Sequence, residues 1–251
     1  MTLMSRFDEL IATALAQSLS GWDFAFVDGR LTETELPWNY RKLVRQRIPN
    51  VQSLLDMCTG GGEFLDGFKS LPASTYATEG YAPNVEVARQ RLAARGVEVI
   101  AVNSDDQLPL PDDAFDLVIN RHGAYSPAEL SRITQAGGLF LTQQVGSANA
   151  SDINRLLDAP SPSVPAWRLE RAIEYLDASG FDIVQQAETF PVMSFADVGA
   201  LVFYLRAIPW QVPDFEPEIY RTQLLALHDQ ISAEGSLEVR AHRFLIEAIR
   251  R

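Results

Sequence analysis

The stretch Leu54-Leu55-Asp56-Met57-Cys58-Thr59-Gly60-Gly61-Gly62-Glu63-Phe64-Leu65 carries more information than any other part of the chain. Just upstream, the turn-prone Pro49-Asn50 opens onto Val51 to Asp56, a short run dominated by apolar residues that predicts a buried strand. The three glycines then predict a tight loop. Glycine has no Cβ and adopts positive φ readily, so a ligand can come close to the backbone there. The pattern after the loop is helical. Strand, glycine loop and helix in that order form the unit on which open α/β sheets seat nucleotide-like groups.

What the loop lacks narrows the ligand. A dinucleotide fingerprint requires G-x-G-x-x-G, whose third glycine allows close helix-to-strand packing. Counting from Gly60, that third position is Leu65; counting from Gly61, the second glycine is replaced by Glu63. A phosphate-cradling loop requires Gly-Lys followed by Ser or Thr, and the nearest lysine, Lys69, lies outside. Glu63 at the helix start would repel a phosphate. These absences argue against nicotinamide and nucleoside-triphosphate chemistry.

Asp56, Gly60 and Gly62 match the pattern apolar, Asp, x, Gly or Ala, x, Gly, x, Gly, and the segment resembles motif I of the class I S-adenosylmethionine-dependent methyltransferases. Cys58 stands where that family usually has a small Gly or Ala. Further segments follow in the family's order. Ala73 to Glu79 is an apolar run ending on an acid, Val97 to Val102 reads as a third strand, Ala114 to Asn120 resembles the fourth, and Leu130 to Leu141 the approach to the fifth. The stretch from Asn120 onward is also similar to bacterial methyltransferase-domain proteins without a defined substrate. The resemblance implies a Rossmann-like α/β fold with a seven-stranded sheet of order 3-2-1-4-5-7-6, its last strand antiparallel. It also implies S-adenosylmethionine as cofactor.

Carried onto this sequence, the resemblance implies cofactor contacts at Asp56, Met57, Cys58, Thr59, Gly60 and Gly62, at Glu79 and Gly80, at Ser104, Asp105 and Asp106, and at Asn120. Glu79 is the acid expected to hold the ribose hydroxyls, since one carboxylate offers two acceptor oxygens to a vicinal diol. Asp105 is the choice for the adenine amino group, with Asp106 its competitor on the same loop. His122, beyond the fourth strand, is the candidate base, because a neutral imidazole near working pH can take a proton from a hydroxyl or amine. Arg121-His122 stands where amino-group methyltransferases of nucleic acids carry two prolines, which argues against that subclass.

The rest of the chain is read as cover and acceptor contacts. Residues 1–47 are expected to form an N-terminal helical cap, and 48–251 the methyltransferase domain, with a helical lid inserted at 191–235 before the last strand. Helices are expected at Phe195 to Ala207 and Pro217 to Ser232, and the last strand at Leu237 to Ile246. Trp38, Tyr40, Gln143, Tyr204 and Trp210 are the candidate substrate contacts. Gln143 and Gln144 alternate along a strand, so at most one faces inward. The Pro/Ser stretch Ala159 to Pro165 separates two predicted helices.

Composition fits an enzyme of the cytoplasm. The 251 residues are 47% hydrophobic with a formal net charge of −12 and one cysteine, Cys58, which has no internal partner for a disulfide. No Cys/His cluster suggests a metal. Such acidity disfavours phosphate backbones, leaving Arg41, Lys42, Arg45 and Arg47 as the one dense basic cluster. Leu10 to Leu19 belongs to an amphipathic helix, and no apolar run approaches the roughly 20 residues that span a bilayer. The expected partner is therefore a small-molecule methyl acceptor, through O or N, with no membrane. The alternatives are an rRNA or tRNA methyltransferase and a methyltransferase-like binding module without turnover.

Overall fold

The computed structural model describes residues 5–19, 24–161 and 166–251. In chain order the elements are α1 (Arg6–Leu15), β1 (Leu31–Glu33), α2 (Tyr40–Arg47), β2 (Ser53–Met57), α3 (Glu63–Asp66), β3 (Ser74–Glu79), α4 (Ala82–Leu92), β4 (Glu98–Ala101), β5 (Phe115–Arg121), α5 (Pro127–Ile133) and β6 (Thr134–Val145). They continue with α6 (Ser151–Leu156), α7 (Leu169–Ala178), β7 (Phe181–Thr189), β8 (Val192–Phe195), α8 (Val198–Ala207), α9 (Arg221–Glu234), β9 (Leu237–Arg240) and β10 (Arg243–Arg250). Residues 162–165 of the Pro/Ser stretch lie outside the described residues. The chain divides into two compact units.

One unit comprises Pro37–Gly146, Ala166–Thr189 and Arg243–Arg251. It holds a seven-stranded sheet in the order β4-β3-β2-β5-β6-β10-β7. β2 pairs in parallel with β3 and β5, β3 with β4, and β5 with β6, while β10 runs antiparallel to both β6 and β7. Numbered within this sheet alone, the order is the expected 3-2-1-4-5-7-6, with the last strand reversed. Strand alternation sends neighbouring side chains to opposite faces. Leu55, Val118, Phe140, Phe244 and Ile246 build one apolar layer, and Leu54, Leu117, Ile119, Leu141 and Leu245 the other. A parallel sheet needs both faces covered, which explains why β2 is buried along its whole length. Asn39 caps α2 by accepting from the Lys42 N–H at 2.9 Å.

The other unit comprises the described residues of Met1–Leu36, Ser147–Pro165 and Phe190–His242. Its small antiparallel sheet, β1-β8-β9, was not expected from the sequence. Phe7, Leu10, Ile11, Leu201, Leu205, Leu224 and Leu227 from α1, α8 and α9 share one core with Phe195 and Val239. Gly199 permits the contact of α8 with α1, since a Cβ there would stand 2.9 Å from the Leu10 carbonyl oxygen. Asp197 starts α8 by accepting from the Ala200 N–H, and Arg30 grips the same carboxylate through two nitrogens at 2.6 and 2.8 Å.

Two boundaries differ from expectation. Asp197 is the N-cap of α8, so Phe195, expected to begin the helix, instead ends β8 (Val192–Phe195). The segment expected as one last strand, Leu237 to Ile246, is two: β9 pairs with β8, and the chain changes sheet at Ala241-His242 before β10 begins. Of the helices within residues 1–47, α1 belongs to the second unit and α2 to the first. Among the described residues no helix is long and apolar enough to cross a membrane.

Candidate active site

β2 ends at Met57, and the loop that follows is tied to the end of β3. The Thr59 N–H donates to the Thr78 carbonyl at 2.9 Å, and the Gly62 N–H to the Thr59 carbonyl at 3.1 Å. Gly60 and Gly62 take φ of +64° and +83°. A Cβ on Gly60 would meet nothing within 4 Å, whereas one on Gly62 would stand 2.9 Å from the Leu92 side chain. The first glycine faces open space, and the second lets α4 close on the loop. Arg91 reaches the Gly61 carbonyl and the Glu63 carboxylate.

Glu79, at the end of β3, is buried and fixed by two backbone donors: the Gly60 N–H to Oε2 and the Tyr81 N–H to Oε1, both at 2.7 Å. Each carboxylate oxygen has two lone-pair sites, so one acceptor position per oxygen remains for a ligand. The Tyr81 amide was not foreseen as part of the site, although it lies only two residues beyond the acid. Gly80 follows on an exposed turn.

Asp56 is buried beneath the loop and accepts from the Thr59 hydroxyl at 2.7 Å. Burial pushes its carboxyl up to about 7, against the opposing effects of Thr59 and Arg121, and Glu79 raises it further. Asp105 lies 3.9 Å from Cys58 Sγ, whereas Asp106 is exposed, with its amide donating to Ser104 Oγ at 3.1 Å. Burial raises the Asp105 carboxyl, and the neighbouring Asp106 charge adds to it. Burial and then the Asp105, Glu79 and Asp56 carboxylates push the Cys58 thiol up to about 12, so it is no thiolate nucleophile. Met57 is a fully buried core residue.

Behind the loop, Asn120 is fully buried. Its Oδ1 accepts from Gln144 Nε2 at 2.6 Å, and its Nδ2 donates to the Ala124 carbonyl at 3.4 Å. Gln144 Oε1 in turn accepts from the Trp167 indole at 3.3 Å. Gly123, also unforeseen, packs so closely that a Cβ on it would lie 2.6 Å from Cys58 Cβ. On the other face of β6, Gln143 Oε1 accepts from Trp38 Nε1 at 2.8 Å, and Gln143 Nε2 lies 2.9 Å from His122 Nε2. The expected Trp38, Gln143 and His122 are thus joined in one chain. Protein atoms crowd the His122 ring although solvent still reaches it. With Arg121 and Arg243 nearby, this keeps the imidazole well below the usual histidine range.

The other expected acceptor contacts have different surroundings. Tyr40 is buried, with its hydroxyl 3.0 Å from the Asn120 carbonyl and 2.9 Å from that of Leu141, so it braces α2 against the strand ends. Tyr204 and Trp210 belong to the other unit. Tyr204 is part of that unit's core and takes a hydrogen bond from Asn149 at 3.0 Å, while Trp210 is exposed on the turn after α8. Among the described residues no group of three or more His, Cys, Asp or Glu side chains is arranged to hold a metal.

Residues 55–142 match the family profile described as a methyltransferase domain. Among curated proteins, none matches the sequence. Solved structures share the fold at low identity. A Deinococcus radiodurans protein of unknown function is 14% identical with a TM-score of 0.63, over 88% of this chain and 91% of that one. The YcgJ protein of Bacillus subtilis is 18% identical with a TM-score of 0.57, over 84% and 98%. A geranyl diphosphate methyltransferase, solved with S-adenosylmethionine, is 14% identical with a TM-score of 0.51, over 84% of each chain. Residues 55–142 thus match a methyltransferase domain, within a sheet whose strand order is the one expected of the class I methyltransferase fold.

Proposed function

We propose that the chain transfers the methyl group of S-adenosylmethionine to an oxygen or nitrogen of a small-molecule acceptor, by direct displacement at the sulfonium carbon. The observation that carries this reading is Glu79, locked by the Gly60 and Tyr81 amides with acceptor capacity left on both oxygens. That arrangement suits a ribose diol and repels phosphate. Open space at Gly60 leaves room for the ligand, and the Glu79 carboxylate on the neighbouring strand end, with its Oε2 on the Gly60 N–H, favours a cation there. The bound cofactor would supply the activated methyl carbon. The protein's share is alignment of the acceptor and exclusion of water.

The basic cluster does not favour a nucleic-acid substrate. Arg41 lies over the rings of Phe64 and Phe68, at 4.8 and 5.2 Å from their centroids, and Arg47 pairs with Glu247 at 2.6 Å. Two of its four cations are therefore engaged with the chain itself. Calorimetry tests the proposal: S-adenosylmethionine and S-adenosylhomocysteine bind, and NADH gives no heat. Glu79→Ala weakens S-adenosylhomocysteine binding by roughly 1–3 kcal/mol, the scale of losing hydrogen bonds to a charged group. A variant that binds as tightly as the parent removes Glu79 from the ribose.

A further inference from the structure

We infer that Trp38 and Gln143 fix His122 as a neutral imidazole with its proton on Nδ1, making it a hydrogen-bond donor to a carboxylate rather than a base. The argument starts at the indole, whose Nε1 can only donate. The Gln143 atom 2.8 Å from it must be the carbonyl oxygen, which leaves the NH2 group facing His122 Nε2 at 2.9 Å. An NH2 group cannot accept, so Nε2 carries the lone pair, and in the neutral ring the hydrogen is on Nδ1.

The same clamp opposes the imidazolium. Protonation at Nε2 would set N–H against N–H, and the nearby guanidinium charges of Arg121 and Arg243 add to the penalty. A general base needs a free lone pair, and the one lone pair of this ring is engaged by Gln143. The backbone holds the ring in place: His122 takes φ +64°, and its N–H donates to the Gln143 carbonyl at 2.8 Å. Nδ1 has no partner among the described residues, and the residue is solvent-accessible. An open N–H donor with the Arg121 guanidinium near the ring selects an oxygen anion.

The tautomer stands on this geometry alone, whereas the choice of ligand rests on the methyl-transfer reading. A carboxylate can come from the methyl acceptor or from the amino-acid end of the cofactor. Nitrogen-15 spectra of the free protein identify the protonated ring nitrogen by its upfield shift. The parent is expected to carry the hydrogen on Nδ1. Gln143→Glu replaces the NH2 with an acceptor and is expected to move the hydrogen to Nε2, and Trp38→Phe to allow both forms. A parent protonated at Nε2 overturns the inference, as does a Gln143→Glu protein that folds like the parent by circular dichroism and keeps Nδ1–H.

The ligand is read from the same Nδ1–H resonance. Acetate added to protein saturated with S-adenosylhomocysteine is expected to shift it, and acetamide to leave it in place; this assigns the donor to the acceptor's carboxylate. If S-adenosylhomocysteine alone shifts it and 5′-methylthioadenosine does not, the donor serves the cofactor's carboxylate. If no carboxylate shifts it, the anion assignment is wrong. If S-adenosylhomocysteine does not bind at all, the methyl-transfer reading fails while the tautomer result still stands.

Discussion

Cys58 occupies a left-handed backbone position, φ 58°, with Gly123 pressed against its side chain. A non-glycine residue there carries about 1–2 kcal/mol of strain. Gly123→Ala is expected to lose on the order of 1–3 kcal/mol through overpacking against Cys58. In the Cys58→Gly background the same substitution should cost measurably less, because the obstructing thiol is gone. Urea unfolding of the two single variants and the double variant measures the coupling; strict additivity would refute the contact.

Asp56 supplies a pH prediction at the same scale. Burial raises its carboxyl from the ordinary 3.8 to about 7. Between those values the folded chain holds a proton that the unfolded chain has released, so stability falls as pH rises through this window and levels off above it. Asp56→Asn lacks that slope. Relative to the parent it should gain stability between about pH 4 and pH 8, by up to about 4 kcal/mol at 1.36 kcal/mol per pKa unit. Unfolding measured at both ends of the range reads the difference, and an equal gap at both would contradict the assignment.

At the scale of elements, α2 is fastened to β10 by the Arg47–Glu247 pair. The Glu247 side chain is 4% exposed and that of Arg47 40%. Among the described residues Glu247 Oε2 has no hydrogen-bond partner, so the buried carboxylate depends on this one guanidinium. Arg47→Met should destabilise by about 1–3 kcal/mol, less than a fully buried pair because the arginine reaches water. Adding Glu247→Leu should recover most of that loss in thermal unfolding; failure to recover would mean that the arginine acts through packing instead.

The parallel strands β2 and β5 were legible because each holds a short apolar run, and β2 and β3 each carry an acid near the end. The small sheet was not. Strands of three and four residues leave no periodic run, and the β9 to β10 crossing at Ala241-His242 is written in tertiary contacts such as the Ala241 N–H to the Pro191 carbonyl. The order of the motifs that carry the family resemblance pointed to Asp56, Glu79 and Asp105, and the fold brings all three close to the glycine loop through Thr59, Gly60 and Cys58. The Trp38–Gln143 bond joins residues 105 positions apart, which no local pattern encodes. Tyr40 looked like a cover because its aromatic ring precedes the loop; only the fold shows its hydroxyl turned inward to backbone carbonyls.

For the whole molecule, a formal net charge of −12 sets the long-range field. That field repels polyanions at distances up to the Debye length, about 8 Å at physiological salt. A labelled tRNA transcript should show no gel shift in about 0.15 M salt. A complex that survives those conditions would redirect the search toward nucleic-acid acceptors.

The placement of β10 bears on how the protein is made. The strand that joins β6 to β7 is encoded after β7 and after every element of the smaller sheet. A nascent chain halted on the ribosome before Arg243 would leave β6 with a raw edge and β7 with no neighbour. Such edges invite pairing with other chains. Late-arriving partners of this kind make folding slow and chaperone-sensitive, so the interval before that segment emerges is when this protein is most exposed to aggregation.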